Sequence, residues 1–146
     1  MKICLLAAVL SSCLFTMAEA SGAFTGSYVS LQCPDGDVEL VVRDDHSCTI
    51  EKKWWDFAEK KHTKTLKRDG TWEAKGDVLT LRFPDVQMRY RRKQDNKLSA
   101  GNVSAIIPGL EFIDSSTDDP FDRIALFEKT RLDAFLLKSA PASKKP

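Results

Sequence analysis

The sequence predicts an all-β fold: about eight to ten short antiparallel strands forming a small barrel or sandwich, with a short C-terminal helix. Three observations carry this. Residues 38–83 alternate apolar and polar side chains, which puts one face of each strand in a core and the other in water. Short polar turns interrupt the alternation at close, regular spacing. Near the end, Leu132, Phe135 and Leu136 fall at helical spacing behind Thr130, a residue able to cap a helix.

Taken in order, Gly26-Ser27-Tyr28-Val29-Ser30-Leu31 is a first strand, with Tyr28 on one face and Val29 and Leu31 on the other. Residues 33–37, Cys-Pro-Asp-Gly-Asp, make a turn, because proline fixes φ and glycine accepts positive φ. Residues 38–43 and 48–54 pair through Asp44-Asp45-His46. Residues 55–61 either extend that strand or form one helical turn. Residues 62–67 alternate again, and Arg68-Asp69-Gly70 reads as the next hairpin turn, Asp-Gly being a strong hairpin signal. Strands at 71–73, 78–83 and 86–92 follow, separated by turns at Lys75-Gly76-Asp77 and Pro84-Asp85. In the last of these, Val86, Met88 and Tyr90 share one face while Gln87, Arg89 and Arg91 share the other. Gln94-Asp95-Asn96 turns the chain toward residues 97–99, and residues 102–108 read as a loop. Residues 110–113 and 124–128 close the sheet across an acidic loop, 114–122.

The chain divides into a leader (1–20), one domain (21–138) and a mobile tail (139–146) rich in proline, serine and lysine. Met1-Lys2 followed by an apolar run reads as a secretory signal peptide, too short to remain as a membrane span. Two cleavage sites compete. Ala18-Glu19-Ala20 gives a soluble protein starting at Ser21. Leu10-Ser11-Ser12-Cys13 resembles a bacterial lipobox, in which Cys13 would carry the lipid. The expected location is therefore the periplasm or the exterior, with an outer-membrane lipoprotein as the alternative. In such an oxidising compartment Cys33 and Cys48 could bridge, closing a loop of about 15 residues for roughly 3 kcal/mol. The intervening strand separates them, however, so a disulfide and two separate thiols both stay open.

Composition excludes some functions. The chain is 42% hydrophobic and 29% charged with a net charge of +1, a balance that gives no support to a nucleic-acid binder or a polybasic membrane-surface binder. There is no Gly-x-Ser-x-Gly and no glycine-rich phosphate loop, so no catalytic residues are assigned. His46 and His62 are the only histidines, and they lack a partner at metal-ligand spacing; neither a metal nor a cofactor is expected. Asp114, Asp118, Asp119 and Asp122 are read as a solvated loop rather than a calcium site.

Two surfaces remain as binding candidates. Trp54-Trp55-Asp56-Phe57 is the densest aromatic stretch; on a strand the two tryptophans face opposite ways, so either one fills the barrel and the other packs under residues 62–67, or Trp55, with Phe57, is free to anchor a partner or to line the mouth of a barrel that holds a small apolar ligand. Arg89, Arg91 and Arg92, with Lys93, make a concentrated positive run, read either as the charged guard of a sheet edge or as a dock for an acidic partner.

Several of these stretches together carry a family resemblance. Gly26-Ser27-Tyr28, Cys33-Pro34-Asp35-Gly36, the turn before Cys48-Thr49-Ile50, and Asp69-Gly70-Thr71-Trp72 leading to Asp77-Val78-Leu79-Thr80-Leu81 resemble the N-terminal domain of bacterial NlpE-type copper-homeostasis and envelope-stress lipoproteins. The likeness covers residues 25–99 and implies a lipocalin-like envelope barrel. That family carries a Cys-x-x-Cys in its first loop; here Cys33 matches the first cysteine, but Gly36 stands in place of the second, so copper and thiol-redox chemistry do not carry over. The expectation is a non-enzymatic binding or sensing module of the cell envelope. The alternatives are a carrier of a small apolar ligand within a barrel lined by Trp72, Leu81 and Tyr90, and an inhibitor of a periplasmic hydrolase. The partner is thus an envelope protein or a small apolar ligand, with the oligomeric state open.

Overall fold

The computed structural model describes residues 22–31, 36–118 and 123–141, and it is a closed antiparallel barrel. Its strands are β1 (Gly26–Ser30), β2 (Gly36–Val42), β3 (Ser47–Asp56), β4 (Lys61–Lys75), β5 (Val78–Arg82), β6 (Gln87–Lys93), β9 (Gly109–Ser115) and β10 (Leu126–Glu128). They pair in that order, and β10 returns to β1 to close the ring. Between β6 and β9 the chain makes a separate hairpin, β7 (Lys97–Ala100) with β8 (Val103–Ile106), and one helix, α1 (Lys129–Ser139), follows β10. The expected all-β barrel with a C-terminal helix is therefore what forms. The leader with Cys13, the loop carrying Cys33, and residues 142–146 lie outside the described residues.

The alternation works as a burial code. Val38, Leu40 and Val42 of β2 point inward, as do Cys48 and Ile50 of β3, Leu79 and Leu81 of β5, and Met88 and Tyr90 of β6. Their neighbours on the same strands face out. Each such aliphatic side chain stabilises the fold by roughly 1.5–3 kcal/mol through burial. Eight strands make an interior that side chains can fill, and here one contiguous cluster fills it, with Trp72, Tyr90 and Leu81 among its members. Phe24 and Phe83 belong to the same cluster. Tyr28 also lies within it, donating from its hydroxyl to the Phe24 carbonyl at 2.8 Å; burial and the nearby Glu128 push its phenol up to about 12.

Three local expectations need correction. Asp69-Gly70 is not a turn: β4 runs unbroken for 15 residues. Gly70 sits opposite Cys48, where a Cβ would fall 2.2 Å from the Arg82 carbonyl oxygen, so the glycine serves close approach of β5 instead of positive φ. Asp69 faces outward and accepts from the Thr49 hydroxyl at 2.7 Å. The true β3–β4 turn is residues 57–60, where Lys60 adopts φ +53 and the Glu59 amide donates to Asp56 at 2.9 Å.

The second correction is at residues 102–108, expected as a loop. Val103–Ile106 is strand β8, paired with β7 around Gly101 at φ +59. The third concerns Thr130, which lies within the first turn of α1; the N-cap is Glu128, without a side-chain capping bond. Packing holds this helix instead. Leu132 and Phe135 join Ile107 in a second, smaller core with Val29, Phe127 and the apolar side of the β7–β8 hairpin.

Candidate functional site

The second core fixes α1 against the outside of β1, and the helix then overhangs the outer face of β2 and β3. The result is a cleft of about 380 Å³ on the barrel exterior. Strand alternation supplies its floor: Asp37 and Glu39 of β2 and Glu51 and Lys53 of β3 are the outward partners of buried Val38, Leu40, Ile50 and Lys52. Val29 of β1 and Leu31 just beyond its end border one side, and Leu132, Asp133 and Leu136 of the helix the other.

Register decides the electrostatics of that floor. Asp37 stands opposite Lys53, a complementary pair, but Glu39 stands directly opposite Glu51. Like charges at paired positions destabilise a sheet. Lys53 offsets part of this at 3.6 Å from Glu51. On the far side of β3, the register shifts between Trp54 and Trp55: Trp54 stands opposite Lys64 and Trp55 opposite His62, so Thr63 of β4 is the extra residue of a bulge that re-aims the end of the hairpin. His62 thereby reaches back across the sheet to Asp37, its Nε2 at 2.9 Å from the carboxylate. The indole of Trp55 packs edge-on to the His62 ring, with centroids 5.0 Å apart. Trp55 is 37% exposed and Phe57, two residues on, 68% exposed. Trp54 turns the other way, half-buried, with the Lys64 ammonium 4.9 Å from its ring.

The basic run is placed quite differently. Strand β6 is flanked by β5 and β9, so the reading of Arg89–Lys93 as the guard of a sheet edge is corrected: closure leaves β6 no edge. Asp114 clamps Arg89 through Nε contacts of 2.8 and 3.1 Å, and the guanidinium holds that carboxyl below its ordinary range. Arg91 faces Asp77 at 3.4 Å and Lys93 faces Glu111 at 4.0 Å. Arg92 has the inward parity and lies 6.0 Å over the Phe24 ring. Three strand-to-strand steps, roughly 14 Å, separate β3 from β6. The structure thus keeps Trp55 and Phe57 together but does not join them to Arg89, Arg91 and Arg92.

The remaining chemistry-bearing residues have structural surroundings. Cys48 is a free, buried thiol, and the bridge partner considered for it, Cys33, lies outside the described residues. Cys48 pairs with Val42 while Gly36 pairs with Trp54, six residues or about 20 Å away along β2. Burial, ahead of nearby charges, pushes the Cys48 thiol up to about 11. Position 36 has no room for any side chain, its Cβ falling 1.8 Å from the Lys53 carbonyl oxygen. His46 stacks on Trp72 at 4.8 Å, and the Trp72 indole donates to the Arg43 carbonyl at 2.7 Å. Of the acidic loop, Asp114 holds Arg89 and Asp118 holds Arg123, while Asp119 and Asp122 lie outside the described residues.

Sequence reasoning missed the cleft. Asp37 reads as the end of the 33–37 turn, Glu39 and Glu51 as polar positions of two separate strands, and Leu136 as part of the apolar stripe of the terminal helix. It also missed Lys52, which alternation does place inside the barrel with Cys48 and Ile50, fully buried. Comparison with protein-family models, with curated proteins and with solved structures returned no match to this chain.

Proposed function

We propose that this chain is an exported, non-enzymatic binding module of the bacterial cell envelope, contacting its partner through the cleft beside α1 and the aromatic tip of the β3–β4 hairpin. The supporting observation is the pairing of exposed Trp55, Leu31 and Leu136 with an open cleft on the outside of a barrel whose inward side chains form one packed cluster. Apolar groups left at a concave surface are the usual anchors of recognition, with aromatics the strongest. A rigid closed sheet lowers the ordering cost of binding, because the contact residues are held before the partner arrives. The leader and the resemblance to NlpE-type lipoproteins argue for the envelope. The aromatic tip and the cleft replace the arginine run as the centre of the surface, since Arg89, Arg91 and Lys93 each already have a carboxylate partner.

Site-specific photocrosslinking tests this. With the crosslinking residue at position 55 or 136, envelope extract yields one stoichiometric protein adduct; at position 73, eleven residues along β4 from His62 and the hairpin tip, it yields none. Equal labelling at all three positions defeats the proposal. A small molecule that co-purifies in native mass spectrometry, and is lost on Tyr90→Ala, favours the carrier instead.

A further inference from the structure

Resting on the binding reading above, we infer that the cleft beside α1 takes an extended segment of a partner in which lysine or arginine alternates with apolar side chains. Size comes first. The cleft offers about 380 Å³ along an exposed sheet face. That is room for a few side chains of an extended chain.

Charge chooses which side chains. Four carboxylates line the cleft against two lysines and one histidine, although the whole chain carries a net charge of +1. The fold satisfies only two of the four: His62 holds Asp37 and Lys53 reaches Glu51. Among the described residues Glu39 and Asp133 have no ion-pair partner, and Glu39 faces Glu51 at a directly paired position. A sheet face selected only for stability would alternate the signs, as Asp37 and Lys53 do one step away on β2. An incoming ammonium or guanidinium between Glu39 and Glu51 turns this repulsion into attraction, in a recess where helix and sheet exclude part of the water.

The apolar half of the recognition comes from the helix. Leu136 is 46% exposed on the cleft wall and Leu137 is 79% exposed beside it, in a chain where Leu132 and Phe135 already supply the contacts that dock α1. The carboxylate floor and the leucine wall face the same space, so side chains of alternate character on one extended segment meet both.

The mature full-length chain is titrated with three fluorescein-labelled nine-residue peptides, alternating leucine with lysine, serine or glutamate, by fluorescence anisotropy. The lysine peptide is expected to bind about ten-fold more tightly than the serine peptide, and the glutamate peptide not to bind. Glu39→Gln should weaken the lysine peptide about three- to five-fold while raising the melting temperature, because it removes the clash with Glu51. That opposite pair of effects separates a lost contact from a lost fold. Leu136→Ala should weaken the lysine and serine peptides alike. Equal binding of lysine and serine peptides, no binding of any of them, or unchanged lysine-peptide binding by Glu39→Gln overturns the inference. So does concentration-dependent dimerisation that Leu136→Ala abolishes, which would make a second copy the occupant. If the position-55 crosslink to the envelope partner survives in a Glu39→Gln background while the peptides fail, the binding function stands and only the cationic partner falls. Loss of crosslink and peptide binding together rejects both.

Discussion

Replacing Gly70 by alanine tests the geometry that closes the barrel. The new Cβ would lie 2.2 Å from the Arg82 carbonyl oxygen and 2.7 Å from Cδ1 of Phe83. Rotation of the Phe83 ring relieves the second contact, but the first is with backbone. Carbon and oxygen rest at roughly 3.3–3.5 Å, so β4 and β5 must part by about 1 Å beside the Thr71–Arg82 pair. Overpacking of this kind costs about 1–3 kcal/mol. Gly70 is not among the glycines of positive φ, so alanine also returns about 0.4–1 kcal/mol by restricting the unfolded chain. The mid-range net expectation is a loss of about 1.3 kcal/mol, or roughly 4–8 °C in melting temperature for a domain of this size. Urea and thermal unfolding followed by circular dichroism measure it. Gly76→Ala is the comparator: its φ of +62 carries a conformational cost of about 1 kcal/mol, but nothing lies within 4 Å of the added methyl. A Gly70→Ala protein as stable as the parent, or more so, refutes the close approach of β4 to β5.

Other outcomes follow from the same packing. Leu132→Ala removes a buried anchor of α1 and should cost about 2–4 kcal/mol; trypsin should then cut at Arg131 or Lys138 before it opens the barrel, and protection of those sites in the variant would contradict the docking. Cys48 titrates near 9.0 when unfolded and at about 11 when folded. Its share of the stability is therefore fully present below pH 9 and lost as pH rises from 9 through 11. Cys48→Ala should flatten that part of the alkaline decline, and a thiol reagent should modify the native protein only as fast as it unfolds. Rapid labelling at neutral pH would show that the thiol is not enclosed.

Much of the fold was legible because a strand's side-chain period is local. Val38-Glu39-Leu40-Val41-Val42 and Val78-Leu79-Thr80-Leu81 declare their inward faces without reference to any partner, and the expected turns at 44–46 and 75–77 form with His46 and Gly76 at positive φ. The same locality made Asp69-Gly70 misleading. A glycine that permits positive φ and a glycine that admits a neighbouring carbonyl are the same letter, and only the position of β5 tells them apart. Residues 102–108 lacked a strong pattern because their strand packs against α1 instead of the barrel core.

Charge was the least legible layer. Arg89, Arg91 and Lys93 form a positive block in one dimension, yet Asp114, Asp77 and Glu111 answer them from neighbouring strands or turns. Glu39 and Glu51 lie 12 residues apart in a sequence full of carboxylates, and nothing local distinguishes them from a solvated face. Hydrophobic period and turn chemistry, which depend on a few adjacent residues, determined that this protein is built of short antiparallel strands with a C-terminal helix and that Trp54 and Trp55 face opposite ways. Pairing register and the return of α1 across β1 decided the rest, because a Coulomb interaction depends on distance in space, and that distance exists only once the chain has closed.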